Sequence, residues 1–298
     1  MGPRGPNDPN TNTITRQPPP RPHPPARTLP PAHASFTLPG HLALWPGLYV
    51  AAAAIILARL AGVPISATSL AILTVASAAA FTLDRVKLTQ THHDPADAQA
   101  QPGRYAFLRA HDRPIRFAAM ATILASVALA PAPIAMAILV LTVLVVAYAA
   151  PTPKRRRIKD VLLIKNVSVG IGIAATAAIA VGSLTLAPLA ALLVIATADA
   201  ILCDLDDIEA DRAAGTATIP ARFGRAQALT LASLLHIAAV ALLIVPIEVL
   251  ALDQALPVPR AASIGLALVA PALICHALRV PTRDVIDARL LLVALLLP

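Results

Sequence analysis

Charge is scarce in this chain of 298 residues. Asp, Glu, Lys and Arg make up 13% of it, and aromatic residues only 3%. So few charges cannot clothe a water-exposed surface, which excludes an ordinary soluble globular domain. The two cysteines, Cys203 and Cys275, both fall inside apolar runs, so neither a disulfide framework nor a zinc spacing is present. No apolar core follows a short basic start, so the opening residues do not read as a secretory signal. No internal repeat is visible either, which argues against the inverted-repeat plan of many transporters.

What is abundant is Ala, Val, Leu and Ile. Apolar residues reach 57% of the chain, and the mean hydropathy is +0.72. This composition predicts an all-α, multi-spanning membrane protein whose Ala-rich helices pack closely through small side chains. Residues 1–38 are the exception. They are Pro-rich, with Pro18-Pro-Pro-Arg-Pro-His-Pro-Pro25 at the centre, and lack apolar periodicity. They are expected to form a disordered, partly polyproline-like tail. Residues 39–298 form the membrane domain.

Nine apolar segments follow, near 41–61, 65–86, 114–131, 133–150, 161–182, 186–203, 226–246, 261–279 and 284–297. Most approach the ~20 residues that a bilayer requires, so the expected architecture is a polytopic bundle of about nine transmembrane helices. The basic residues give this count a test. With nine spans starting inside, all of the 24 Lys and Arg except Arg59 and Arg260 fall on the cytoplasmic side. The formal charge of +8 therefore speaks of topology rather than of a nucleic-acid partner. The sizeable polar loops also collect on the cytoplasmic side, which places the opening of any site there.

The polar stretch that most needs a reason begins at Asp204. Asp204, Asp207 and Asp211 follow at steps of three and four, with Asp206 and Glu209 beside them. On a continuous helix those steps put three carboxylates on one face. They stand at the C-terminal end of an apolar span, where the helix dipole and their mutual repulsion both raise their energy. A hard, oxygen-liganded cation such as Mg2+ relieves both. Asp199 lies about one turn deeper in the same run. It is either a functional group or a hydrogen-bonding partner of a neighbouring helix.

Asp84, followed by Arg85, ends the second apolar segment at a similar depth. It reads either as an interfacial ion pair or as a second wall of a metal site. Residues 215–224, Gly-Thr-Ala-Thr-Ile-Pro-Ala-Arg-Phe-Gly, look like a shaped loop. Gly215 is placed to take positive φ after a helix, Pro220 to stiffen the return, and Arg222 to reach over the carboxylates. The basic run 154–159 serves topology and anionic lipid, with Arg113 and Lys159 as alternative phosphate contacts. Lys165-Asn166 falls inside a span, where it snorkels or faces a polar mouth. His92-His93-Asp94 reads as solvent-exposed.

These residues resemble the UbiA superfamily of intramembrane prenyltransferases. The second Asp-rich motif of that family is matched by Asp204-x-x-Asp207-x-x-x-Asp211-Arg-x-x-Gly215-x-x-Thr218-x-Pro220-x-x-x-Gly224. The stretch from Arg157 to Asn166, Asp84-Arg85, and Arg104-Tyr-Ala-Phe107 resemble a divergent bacterial branch. The first motif, NxxxDxxxD in the family, keeps only its middle Asp, Asp84. Ala80 and Leu88 stand at the outer positions, and Asp94 and Asp97 lie in the loop beyond.

The resemblance implies a Mg2+ cofactor held by Asp84, Asp204, Asp207 and Asp211. It implies catalytic roles for Asp84, Asp207 and Asp211, and diphosphate contacts from Arg85, Lys154, Lys159 and Arg222. The implied function is transfer of a prenyl group from an isoprenyl diphosphate to a lipophilic acceptor. The implied setting is a bacterial plasma membrane, with membrane lipid around the protein and the site facing the cytoplasm. A UbiA-type terpene cyclase and an inactive isoprenoid-binding relative are the alternatives.

Overall fold

The computed structural model describes residues 37–86, 101–149, 161–244, 258–278 and 282–297. Nearly all of the expected Pro-rich tail lies outside these residues, as do His92, His93, Asp94, Asp97, the basic run 154–159 and most of the connection 248–260. The last two residues assigned to the tail, Thr37 and Leu38, instead open a short helix, α1 (Thr37–His41).

The described residues are helical, with no strand among them. After α1 come α2 (Leu44–Leu60), α3 (Ala67–Val86), α4 (Pro102–Ala110), α5 (Asp112–Leu129) and α6 (Ala132–Ala149). Then follow α7 (Ile164–Val181), α8 (Leu186–Cys203), the short α9 (Ile208–Ala214) and α10 (Ile219–Phe223), α11 (Arg225–Ile244), α12 (Val258–Leu278) and α13 (Arg283–Leu296). Each of the nine apolar segments carries one of the longer helices. Among the described residues, five stretches are both long and apolar enough to cross a membrane: Ala67–Val86, Ile164–Val181, Leu186–Asp206, Arg225–Leu243 and Ala261–Leu278. The molecule is a polytopic, all-α membrane bundle.

The helices pack in a series in which α3 packs on α5 and α6, α6 on α7, α7 on α8, α8 on α11, α11 on α12, and α12 on α13. The interior is filled by α2, which touches α3, α7, α8 and α13. Its Val50-Ala-Ala-Ala-Ala54 and Ile56-Leu-Ala58 are buried. A helix apolar on every side is what such a central position demands. Small residues set the spacing. A Cβ added to Gly47 would stand 2.6 Å from the Thr74 carbonyl oxygen on α3, and one on Gly170 would stand 2.8 Å from the Leu193 carbonyl oxygen on α8. By contrast, Phe117, Leu124, Val143, Leu266 and Leu295 lie exposed on the outside, where hydrocarbon is the matching solvent.

One buried polar cluster ties the interior together. Asp199 on α8 accepts from Tyr49 Oη on α2 at 2.8 Å, from His236 Nε2 on α11 at 3.0 Å, and from the Arg289 guanidinium on α13. Arg289 also donates to the Leu268 carbonyl on α12, the helix that contains Pro271. Both members of the ion pair are almost fully enclosed, at 3% exposure for Asp199 and 4% for Arg289. Of the two sequence readings of Asp199, its contacts match a hydrogen-bonded tie between helices. Arg289 does not belong to the cytoplasmic loop charges with which the topology count placed it. It is drawn into the bundle because a carboxylate without a counter-charge there costs several kcal/mol.

Replacing Arg289 alone, as Arg289→Met, leaves that carboxylate unpaired and is expected to destabilise the protein by about 3–5 kcal/mol. The double change Asp199→Leu with Arg289→Met removes both charges and should recover most of the loss. Thermal unfolding in detergent compares the two, and equal losses would show that the pair is not what holds these helices.

Candidate active site

Helix alternation brings the chain's polar turns to one end of the bundle. Arg59 Nη1 at the end of α2 donates to the Leu297 carbonyl beyond α13 at 2.7 Å, so the starts of these two helices share the opposite end. There a Cβ on Gly40 would stand 3.8 Å from Asp284 Oδ2, and Arg85 from the end of α3 donates to the Gly40 and His41 carbonyls. The end of α8, the start of α7 and the start of α13 meet at this mouth.

The acidic motif is not one continuous helical face. α8 ends at Cys203, Asp204–Asp206 forms a 3-10 turn, and α9 restarts at Ile208. The restart follows from the dipole argument. A continuous helix would hold all the carboxylates at the negative pole of α8. The break moves Asp207 to the N-cap of α9, and Glu209 and Asp211 into its first turn, where negative charge is favoured. Gly215, at φ 70°, closes α9 in the left-handed conformation, as its position in the loop requires. Thr218 then caps α10. Its Oγ1 accepts from the Ala221 amide at 3.3 Å and donates to Asp211 Oδ2 at 3.0 Å. The Gly-Thr-Pro segment is thus a support for Asp211.

Each carboxylate has a distinct partner. Asp204 is 3% exposed and accepts from Lys165 Nζ at 2.6 Å and Asn166 Nδ2 at 3.1 Å. Lys165 therefore faces the polar mouth rather than snorkelling away. Asp206 accepts from the Thr282 amide at 2.9 Å, the Thr282 hydroxyl at 3.0 Å and the Arg283 amide at 3.0 Å, so it caps α13 from another part of the chain. Asp207 Oδ2 pairs with Arg283 Nη2 at 2.5 Å. Burial pushes the Asp211 carboxyl up to about 6, against the nearby Lys165 and with the help of the Asp204 charge.

The expected basic contacts are placed differently. Arg222 is exposed and lies over the Phe223 ring, 5.7 Å from its centroid, with no ion pair to the carboxylates. Arg212 and Arg225 instead fasten the loop, to the Ala221 carbonyl at 2.9 Å and the Leu205 carbonyl at 2.9 Å. Arg85 is engaged with the C-terminal carbonyls of α1. Lys154 and Lys159 lie outside the described residues. Asp84 is half-buried at the end of α3. Among the described residues, no three His, Cys, Asp or Glu side chains come together closely enough to hold a metal ion.

Sequence reasoning missed Arg283, Thr282 and the role of Asp206. Their signal was a polar start, Thr282-Arg-Asp284, to an otherwise apolar final segment. The donor chemistry still suits a hard cation. Asp207 Oδ1 and Asn166 Oδ1 are buried with no hydrogen-bond partner, and both are oxygens of the kind such a cation takes.

The fold has solved counterparts. A structure of a UbiA homolog from Archaeoglobus fulgidus bound to GPP and Mg2+ superposes with a TM-score of 0.56 at 16% identity, covering 86% of this chain and 95% of that one. A second structure of a UbiA homolog from the same organism, bound to DMAPP and Mg2+, gives a TM-score of 0.51 at 18% identity over 85% and 96%. The chain has the UbiA fold. No protein-family model matches the sequence, and no curated protein does. At these identities the shared property is the UbiA architecture. In this chain that architecture carries the acidic motif at the mouth of the bundle.

Asp211 titrating near 6 has a measurable consequence. A divalent cation requires the ionised carboxylate, so its binding should strengthen as pH rises through about 6. Below that point it should weaken by up to about tenfold per pH unit. Mn2+ titrations of purified protein at pH 5.5 and 7.5 test this, with Asp211→Asn expected to flatten the dependence. A flat profile in the unaltered protein would remove Asp211 from the cation site.

Proposed function

We propose that this protein is a Mg2+-dependent enzyme that transfers a prenyl group from an isoprenyl diphosphate to a lipophilic acceptor. The observation that carries this reading is the placement of Asp204, Asp207 and Asp211 at the mouth of a UbiA fold. The solved homologs of that fold hold GPP or DMAPP together with Mg2+. Carboxylates gathered at one end of an apolar bundle suit a substrate with a highly charged head and a hydrocarbon tail.

When bound, Mg2+ supplies positive charge that neutralises a diphosphate leaving group. Asp207 and Asp211 are the main ligands in this reading. Asp207 offers its unpartnered Oδ1, and Asp211 is held in place by Thr218. Asp204 would join them on release from Lys165, and Asp84 at the end of α3 would supply a further carboxylate. Lys154 and Lys159 supply charge-assisted hydrogen bonds to the phosphates. Arg222 and Arg85 would have to leave the Phe223 ring and the Gly40 carbonyl to join them. The carbon–oxygen bond of the donor breaks with its electron pair on the diphosphate, and the acceptor gives the allylic carbon a new pair. The Ala- and Leu-rich bundle around the tail excludes the water that would otherwise take the acceptor's place. The protein is integral to the membrane; the concentration of Lys and Arg in the loops on the motif's side supports a cytoplasmic site, in what we read as a bacterial plasma membrane.

Asp207→Ala and Asp211→Ala should each lower Mg2+-dependent consumption of prenyl diphosphates by at least about a hundredfold. The assay incubates purified protein with prenyl diphosphates of several lengths and a membrane lipid extract, and reads the products by mass spectrometry. Parallel incubations without extract detect a cyclised product. Unchanged turnover in both variants would sink the proposal.

A further inference from the structure

Arg283 was not among the residues that the acidic motif brought into view, yet it makes the shortest contact to the motif's middle carboxylate. Its Nη2 stands 2.5 Å from Asp207 Oδ2 and also 3.2 Å from the Cys203 carbonyl. The other Asp207 oxygen, Oδ1, is buried with no partner. The Arg283 backbone is fixed, because its amide and that of Thr282 both donate to Asp206. Only the side chain is left to move.

We propose that Arg283 is a built-in counter-ion that occupies Asp207 until a divalent cation and a diphosphate arrive, and then turns to the diphosphate. This rests on the diphosphate reading above. A guanidinium and a divalent cation on one carboxylate repel each other strongly in a half-buried site. Seating the cation therefore weakens the Asp207–Arg283 pair. The released guanidinium is a planar fork suited to phosphate oxygens. The arrangement couples the two ligands. The cation displaces Arg283 from Asp207, and the diphosphate gives Arg283 somewhere to go. It also leaves Asp204 and Asp207 each with a counter-ion, Lys165 and Arg283, when the site is empty.

A purely structural role for Arg283 would weaken every ligand together, whereas a counter-ion predicts opposite signs. In Arg283→Gln, Mn2+ alone should bind about tenfold tighter than in the unaltered protein, while pyrophosphate with Mg2+ should bind about tenfold weaker. Titration calorimetry on the detergent-solubilised full chain measures both. Arg283→Lys keeps the charge but holds Asp207 through a single point, so it should shift Mn2+ affinity the same way by a smaller factor. If Arg283→Gln loses its unfolding transition, the lysine variant decides. Mn2+ binding that is unchanged or weaker in a folded variant overturns the proposal while leaving the diphosphate reading intact. An unaltered protein that binds neither Mn2+ nor pyrophosphate overturns the diphosphate reading and this inference with it.

Discussion

An ionised carboxylate inside an apolar bundle must find its counter-charge within reach, because water is not there to solvate it. The arrangement of polar residues from the centre of the molecule to its mouth follows from that requirement. At the centre, Asp199 is met by Arg289, His236 and Tyr49 from three other helices. At the mouth, Asp204 is met by Lys165, and Asp207 by Arg283. Asp199, Asp204, Asp206 and Asp207 thus each recruit another span. The polar contacts and the helix packing are two descriptions of one assembly.

The break after Cys203 belongs to the same logic. Apolar content could have carried α8 further, since Leu186–Asp206 still qualifies as a spanning stretch. What stops the regular helix is the cost of adding carboxylates at its negative pole. Restarting as α9 turns the pole around for Asp207, Glu209 and Asp211, and the bend exposes Asp206 to the amides of α13. A single change of backbone path therefore relieves the dipole and caps a second helix.

Much of this was legible in the sequence, and the remainder was hidden for a physical reason. The positions of the helices follow from apolar runs whose lengths match a bilayer, and all nine segments carry one. The 215–224 loop was readable because glycine and proline dictate backbone geometry locally. Pairing was not readable. Arg289 and Arg283 both looked like ordinary cytoplasmic charge at the start of a final span, and nothing local distinguishes a lysine at a lipid surface from Lys165 on a buried aspartate. Arg222, next to the motif in sequence, was the obvious candidate for the carboxylates. The chain turns it outward onto Phe223, and Arg283, some 60 positions later, takes that place. Long-range partners depend on the register of helices, which periodicity within one segment does not encode.

That register is itself fixed twice. α8 and α13 run antiparallel. Asp206 and Asp207 meet Thr282 and Arg283 at the mouth, while Asp199, deeper on α8, meets Arg289, deeper on α13. The two ties are about 9–12 Å apart along the helices, at about 1.5 Å per residue. A slip of α13 by one turn would break both at once and leave two carboxylates and two guanidiniums unpaired. The buried tie therefore sets where Arg283 starts, and the mouth can exchange its side-chain contacts without the helices moving. This gives the interior cluster a part in the site although it touches no motif residue. It holds the backbone still, so that a side chain alone is free to change partners.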